Sequence, residues 1–228
     1  MSRRLTESED EAWVDALVAM TARPDEELTS SAAEELSALI EEADNRGDPD
    51  ACAALLIRRG TSRLSDRDAG GAQSDFARAL EVINEIAGAV SLEVEVRSQL
   101  LELAFAGGDV AAAEGHAERL LQIHEDLAER VGGPQELRDL SISLNNVGRV
   151  QEARGDWTGA ETSHTRSLQI HEDLAERVGG PQELRDLSIS LNNVGRVQET
   201  RGDWAGAETS YTRSLQVSED LAERVGGP

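Results

Sequence analysis

The sequence predicts an all-α protein, a right-handed α-solenoid of antiparallel helix pairs, and three observations lead to this fold class. Residues 122–168 are repeated almost letter for letter as residues 169–215. Inside each copy the apolar residues recur at helical spacing, and glycine and proline stand between the apolar stretches. Self-similarity at a fixed period indicates a repeat architecture, in which one supersecondary unit stacks on the next.

The two copies, offset by 47 residues, differ only at Ala153/Thr200, Thr158/Ala205 and His164/Tyr211, which leaves 44 of 47 positions identical. A third copy begins at Gln216. Such near-identity indicates either a recent duplication or a designed sequence, and duplication is the preferred interpretation.

Each copy is expected to form two amphipathic helices, because its apolar residues fall on two stripes with a period close to 3.6. The first stripe consists of Leu137, Leu140, Leu144 and Val147, and the second of Trp157, Ala160, His164, Leu168, His171, Leu174 and Val178.

The turns between these helices are predicted from residue type. Gly155 can take the left-handed conformation that ends one helix, and Asp156 is placed to cap the next. Gly179-Gly180-Pro181 separates the two copies by the same logic, with proline at the first turn of the following helix.

Earlier and more degenerate copies can be traced from residue 49, because Gly60 falls where Gly148 and Gly195 fall later. Four helix pairs are therefore expected, at about 50–86, 90–131, 135–178 and 182–225. Residues 1–48 carry 14 acids against 4 arginines. They are predicted to form an acidic helical cap with a break at Pro24, although the first eight residues or so could instead be disordered.

The repeated unit resembles the tetratricopeptide repeat in the order and spacing of Leu144-Asn145-Asn146-Val147-Gly148, Gly155-Asp156-Trp157, Ala160 and Leu168. The usual period is about 34 residues, so a 47-residue unit has longer helices. It is similar to the long variant in kinesin light chains and in many bacterial multi-repeat proteins. Gln151 departs from the pattern, which usually has tyrosine there. The resemblance implies that Trp157 and Trp204 wedge between helices.

Composition limits the class of partner. The formal charge is −23, which argues against binding nucleic acid or an anionic membrane, since both require a positive surface.

Cys52 is the only cysteine, no secretory signal follows Met1, and the longest apolar run, residues 51–57, is far shorter than a membrane span. We therefore expect a cytoplasmic protein.

No catalytic or metal-binding constellation is expected. Cys52 lies in an apolar helical run and is predicted to be a packed thiol. His124 and His171 lack the spacing of metal ligands, and the third copy has Ser218 at this position. His164 is replaced by Tyr211, which favours a packing role. We therefore predict no enzyme activity, no metal and no cofactor.

The first helix of each copy carries a polar face that differs from its core stripe. In tetratricopeptide proteins this face lines the concave groove, and an asparagine amide offers the donor and acceptor that a peptide backbone requires. Arg149 and Arg196 on this face favour an acidic ligand, unless Glu152 or Glu199 neutralises their charge. The alternative is that the asparagines bond to neighbouring helices or water. The resemblance implies a peptide-binding role for Asn145, Asn146, Arg149, Ala153, Asn192, Asn193, Arg196 and Thr200.

The preferred function is a non-enzymatic scaffold that binds a protein or an extended peptide on its concave face. One alternative is the recognition module of a larger bacterial signalling or defence protein, and another is a self-assembling repeat array. A carboxyl-terminal repeat without a polar capping helix also predicts a homo-oligomer.

Overall fold

The computed structural model describes residues 7–22 and 30–225, and every described element is helical. The all-α prediction is therefore confirmed. The predicted break at Pro24 and the first six residues lie outside the described part. The helices are α1 (Glu7–Ala22), α2 (Ser30–Arg46), α3 (Pro49–Ser65), α4 (Ala69–Ile83), α5 (Val90–Gly107), α6 (Val110–Arg130), α7 (Pro134–Ala153), α8 (Trp157–Arg177), α9 (Pro181–Thr200) and α10 (Trp204–Val225).

The chain divides into two compact units, one up to Leu103 and one from Ala104. The division predicted from sequence, a cap of residues 1–48 followed by a solenoid, stays a prediction.

The unit up to Leu103 has its core where α2, α3 and α4 pack together. Phe76 of α4 is fully buried, and a Cβ added at Gly60 of α3 would lie 2.8 Å from its ring. A buried ion pair joins the same two helices, since Asp75 accepts two hydrogen bonds from Arg59, at 2.6 and 3.0 Å. This bidentate geometry provides the pairing that a buried charge requires.

The unit from Ala104 contains helices α6 to α10 in a stack of helix pairs. Helix α7 packs against both α6 and α8, and α9 packs against both α8 and α10. Leu144, Leu174 and Leu191 are almost completely buried in this stack. Each first helix therefore lies between two second helices, which is the arrangement that the repeated stripes predict.

The turns form for the reasons visible in the sequence. Gly155 has φ +76 and Gly179 has φ +64, in the left-handed region that glycine tolerates. The carboxylate of Asp156 accepts a hydrogen bond from the Gly159 amide at 2.9 Å and caps α8. The same aspartate cap begins α4, α6 and α10, at Asp68, Asp109 and Asp203.

The two tryptophans do not share one environment, which corrects the expectation that both wedge between helices. Trp157 is partly buried, whereas Trp204 is 68% exposed. Val178, assigned to the core stripe, is also exposed. Helix α9 packs on α8, while no helix from the described part of the chain packs on the corresponding side of α10.

Candidate binding surface on the first helices

The predicted binding residues lie along one side of α7 and α9, where they range from half-buried to exposed. We call this side the first-helix face, and two isoleucines identify it: Ile142 on α7 is 51% exposed, and its equivalent Ile189 on α9 is 50% exposed. Three or four residues further along each helix come the paired asparagines, and one turn later an arginine. The face consists of Ile142, Asn145, Asn146, Arg149 and Ala153 on α7, and Ile189, Asn192, Asn193, Arg196 and Thr200 on α9.

Asn145 makes contacts with the protein interior. Its Oδ1 lies 2.9 Å from Nδ1 of His164, a fully buried side chain of α8. The same oxygen accepts a long hydrogen bond of 3.5 Å from Nδ2 of Asn193. Asn145 thus links three helices, which is the behaviour that the alternative interpretation of the asparagines described.

Glu152 continues this network towards α9. Its Oε1 lies 2.8 Å from Nε2 of His164 and also accepts a 2.8 Å hydrogen bond from Arg196. Burial opposes ionisation of this carboxyl group, but the hydrogen bonds from His164 and Arg196 outweigh burial and lower the pKa of Glu152 below its ordinary value. The positive charge of Arg196 is therefore compensated by the preceding first helix.

In the α9–α10 pair, the position equivalent to His164 has different contacts. Tyr211 replaces the buried histidine, is 37% exposed, and donates a 2.9 Å hydrogen bond to Glu199. Partial burial and this hydrogen bond raise the pKa of Tyr211. Asn192 is exposed on the first-helix face. Two copies that are nearly identical in sequence thus present one half-buried asparagine, bonded to a buried histidine, and one exposed asparagine.

The remaining predicted residues differ in how accessible they are. Arg149 lies over the ring of Phe105, 4.1 Å from its centroid, and donates a 3.2 Å hydrogen bond to Asn146. Ala153 and Thr200 are exposed, and the Thr200 hydroxyl bonds to its own helix at the carbonyl of Arg196. The surface therefore combines exposed apolar groups, amides and compensated charges, a mixture suited to a polypeptide partner.

Sequence reasoning missed the residues that support this face from behind. It treated His164 only as a packed side chain, although the exchange with Tyr211 indicates a position whose partners differ between copies. It considered Glu152 as a partner within its own helix, whereas the structure pairs it with Arg196 of the next copy. Phe105 was not singled out, although it stands 47 residues before Glu152.

The structure also shows the surroundings of Cys52, which was considered as a nucleophile, and of the residues considered as metal ligands. Cys52 is buried, as predicted, and its thiol hydrogen-bonds to Asp44 at 3.1 Å. Burial and this contact raise the pKa of Cys52 to about 11, which keeps the thiol protonated.

Across residues 7–22 and 30–225, no three His, Cys, Asp or Glu side chains are grouped as metal ligands. None of the described helices is long and apolar enough to cross a bilayer.

These features define a helical repeat protein. Its helix pairs are stacked, and they share aspartate caps, glycine turns and a polar first-helix face. The sequence profile described as tetratricopeptide repeat matches residues 143–178 and 190–225. These two segments are similar to tetratricopeptide repeats, which generally serve as protein-interaction modules without catalytic activity. No curated protein sequence matches the chain significantly.

Solved structures share the fold over almost the whole chain. The crystal structure of BtubC (BKLC) from P. vanneervenii is 19% identical, with a TM-score of 0.63, and the match covers 96% of this chain and 94% of that one. A Podosopora anserina putative kinesin light chain with nearly identical TPR-like repeats is 12% identical, with a TM-score of 0.66, over 96% of this chain and 100% of that one. At these identities the similarity establishes the fold alone.

Proposed function

We propose that this protein is a non-enzymatic scaffold that binds a protein or an extended peptide on the first-helix face. The observation that supports this most directly is the pair of half-exposed isoleucines, Ile142 and Ile189, at equivalent positions of consecutive repeats. Large apolar side chains that stay exposed in register beside polar groups are typical of an interaction surface.

The structure changes which predicted residues are expected to touch the ligand. Asn192, Ala153 and Thr200 are accessible, whereas Asn145 is bonded to His164 and Asn193. Ligand contact is therefore assigned first to the α9 end of the face. The expected preference for an acidic ligand loses its basis at Arg196, because Glu152 compensates that charge.

The test places a photo-crosslinking amino acid at position 189 or at position 131 and identifies the captured proteins by mass spectrometry. Val131 is 61% exposed and lies outside the first-helix face, so it serves as the matched control. Proteins captured from position 189 alone, and lost in the Ile142→Glu, Asn192→Ala double variant with unchanged thermal stability, would support the proposal. Identical captures from both positions, or captures that the double variant leaves unchanged, would refute it.

A homo-oligomer formed through α10 is a second proposal, because Leu215 and Val225 of this helix are exposed. Light scattering across a wide concentration series tests it, and a constant monomeric mass would contradict it. The recognition module of a larger signalling or defence protein, the bacterial origin and the cytoplasmic location stay predictions of the sequence.

A further inference from the structure

The buried ring of His164 has an acceptor oxygen opposite each of its two nitrogens. Nδ1 lies 2.9 Å from Oδ1 of Asn145, and Nε2 lies 2.8 Å from Oε1 of Glu152. Burial opposes ionisation of Glu152, but the hydrogen bonds from His164 and Arg196 lower its pKa, so the carboxylate is ionised. An amide oxygen and an ionised carboxylate can only accept hydrogen bonds. Both ring nitrogens therefore donate, which makes the ring a cation in this arrangement.

The two helices that pack against α8 bring one charged group each to this site. Glu152 of α7 supplies the negative charge that a buried cation requires, and Arg196 of α9 shares the same carboxylate at 2.8 Å. His164 is fully buried, so solvent cannot replace either of its partners. Loss of one ring proton would leave a bare nitrogen lone pair facing an oxygen lone pair. A neutral ring therefore requires one partner to change.

Of the two partners, only Asn145 can change to suit a neutral ring. Half a turn of its amide exchanges the oxygen for the amino group, which then donates to a bare Nδ1. Glu152 has no proton to donate while it is ionised, and Arg196 contacts both of its carboxylate oxygens. The ring therefore keeps the proton on Nε2 and loses the one on Nδ1.

The amide of Asn145 also belongs to the first-helix face. Its amino group bonds to no residue in 7–22 or 30–225 and is not buried, so it is available to a ligand. While the ring is charged, this available atom is a hydrogen-bond donor. After half a turn of the amide an acceptor oxygen takes its place, and the long bond that Asn193 donates to the oxygen is lost.

We propose that His164 is a proton-dependent positioning residue for the first-helix face. A charged ring holds the Asn145 oxygen inwards and presents its amino group to a carbonyl or carboxylate oxygen of the ligand. A neutral ring presents the Asn145 oxygen to an N–H of the ligand instead. The ligand in this statement rests on the proposed function, whereas the coupling between ring and amide is a property of the free protein.

The next copy lacks this device, although its sequence is nearly identical. Tyr211 stands in place of the histidine and donates one hydrogen bond to Glu199. Burial and this hydrogen bond raise the pKa of Tyr211, so its hydroxyl keeps its proton near neutral pH. Asn192, the equivalent of Asn145, is exposed. His164→Tyr therefore converts the proton-dependent copy into the form that the protein already contains.

Nuclear magnetic resonance of the free chain tests the coupling. Ring ¹⁵N shifts distinguish two protons from one on His164, and the side-chain amide signal of Asn145 reports its hydrogen bonds. We expect both signals to change together between pH 5 and pH 9, while the amide signal of Asn192 stays constant. An Asn145 signal that stays constant while the ring loses a proton would overturn the proposal. A ring with the same charge throughout this range would overturn it too.

Two charge-removing variants provide a matched pair for the same measurement. Glu152→Gln should move the ring transition to lower pH, because the cation loses its anionic partner. Glu172→Gln removes an equal charge from another ion pair between helix pairs, in which Arg213 bonds to Glu172 at 2.6 Å. It should leave the transition where it is in the parent. Equal transitions in the two variants would contradict the assigned role of Glu152.

The consequence for binding is measured with the photo-crosslinking amino acid at position 189. Its yield should differ between pH 5.5 and pH 8.5 by roughly two- to tenfold, the equivalent of one hydrogen bond. In His164→Tyr, with folding checked by circular dichroism, this difference should vanish. An equal pH dependence in both proteins would overturn the role of His164 in binding. No capture at either pH would count against the proposed function, while the magnetic resonance result would still decide the coupling.

Discussion

Gly148→Ala should destabilise the protein, even though alanine is the better helix former. Gly148 lies in the middle of α7, directly against the buried ring of His164. A Cβ added at this position would be 2.5 Å from Cε1 of that ring. Carbon atoms in contact are normally ~3.5–4.0 Å apart, so the ring would have to withdraw by roughly 1 Å.

The ring has little freedom to withdraw, because its nitrogens lie 2.9 Å from Asn145 Oδ1 and 2.8 Å from Glu152 Oε1. Overpacking of this kind costs about 1–3 kcal/mol. The gain from replacing a helical glycine with alanine offsets about 0.5–1 kcal/mol of that cost. The free energy of unfolding should therefore fall by about 0.5–2 kcal/mol.

Two other glycines in the chain provide matched controls. At Gly195 the added Cβ would lie 2.8 Å from the Tyr211 ring, which is 37% exposed and can move towards solvent, so Gly195→Ala should cost less. At Gly115 in α6 the added Cβ would meet nothing within 4 Å. Gly115→Ala should therefore stabilise the protein by about 0.5–1 kcal/mol.

The assay is denaturant unfolding of the full chain, followed by circular dichroism at 222 nm. The unfolding midpoint should be lowest for Gly148→Ala, intermediate for Gly195→Ala and highest for Gly115→Ala. The penalty at Gly148 should also shrink when His164→Ala is present, because the clash is then absent. Equal midpoints for Gly148→Ala and Gly115→Ala, or a penalty unchanged by His164→Ala, would refute the packing argument.

Two further predictions concern pH and the tryptophans. Burial lowers the pKa of His124 and of His171, so the folded protein holds both rings neutral, while the unfolded chain takes up protons below about pH 6.5. Stability present above that pH should be lost as the pH falls towards 5, by at most about 1.4 kcal/mol per pH unit for each ring. Urea midpoints measured from pH 8 to pH 5 should therefore fall less steeply in His171→Ser than in the parent protein. Serine is chosen because Ser218 stands at the equivalent position of the next copy. Equal slopes in the two proteins would contradict this prediction. Trp204→Ala should change the unfolding midpoint little, because its ring is mostly exposed, whereas Trp157→Ala should lower it clearly, and equal effects would show that the two rings share one environment.

Local residue chemistry was enough to predict where the helices begin and end. Gly155 and Asp156 act through their own backbone conformation and the amide three residues later, so no knowledge of distant residues is required. The repeat period then predicted which helices stack. For these reasons the architecture of this protein can be read almost entirely from its sequence.

The exposure of side chains could not be read in the same way. Trp157 and Trp204 occupy nearly identical local sequence, and the packing of neighbouring helices decides how much of each ring is exposed. The candidate surface depends on contacts of this distant kind. Arg196 reaches Glu152, which lies 44 residues earlier, and not Glu199 on its own helix. Nothing in the spacing of charges along one helix distinguishes these two partners.

The ion pairs that join one copy to the next also bear on how such an array can change length during evolution. Arg201 and Arg213 each pair with a glutamate of the preceding helix pair. Unequal recombination within residues 122–215 would insert or delete a whole 47-residue unit. Every new junction would again place an arginine opposite a glutamate and a leucine beneath the next first helix. Copy number can therefore change in a single genetic step, without any intermediate whose junctions are mismatched.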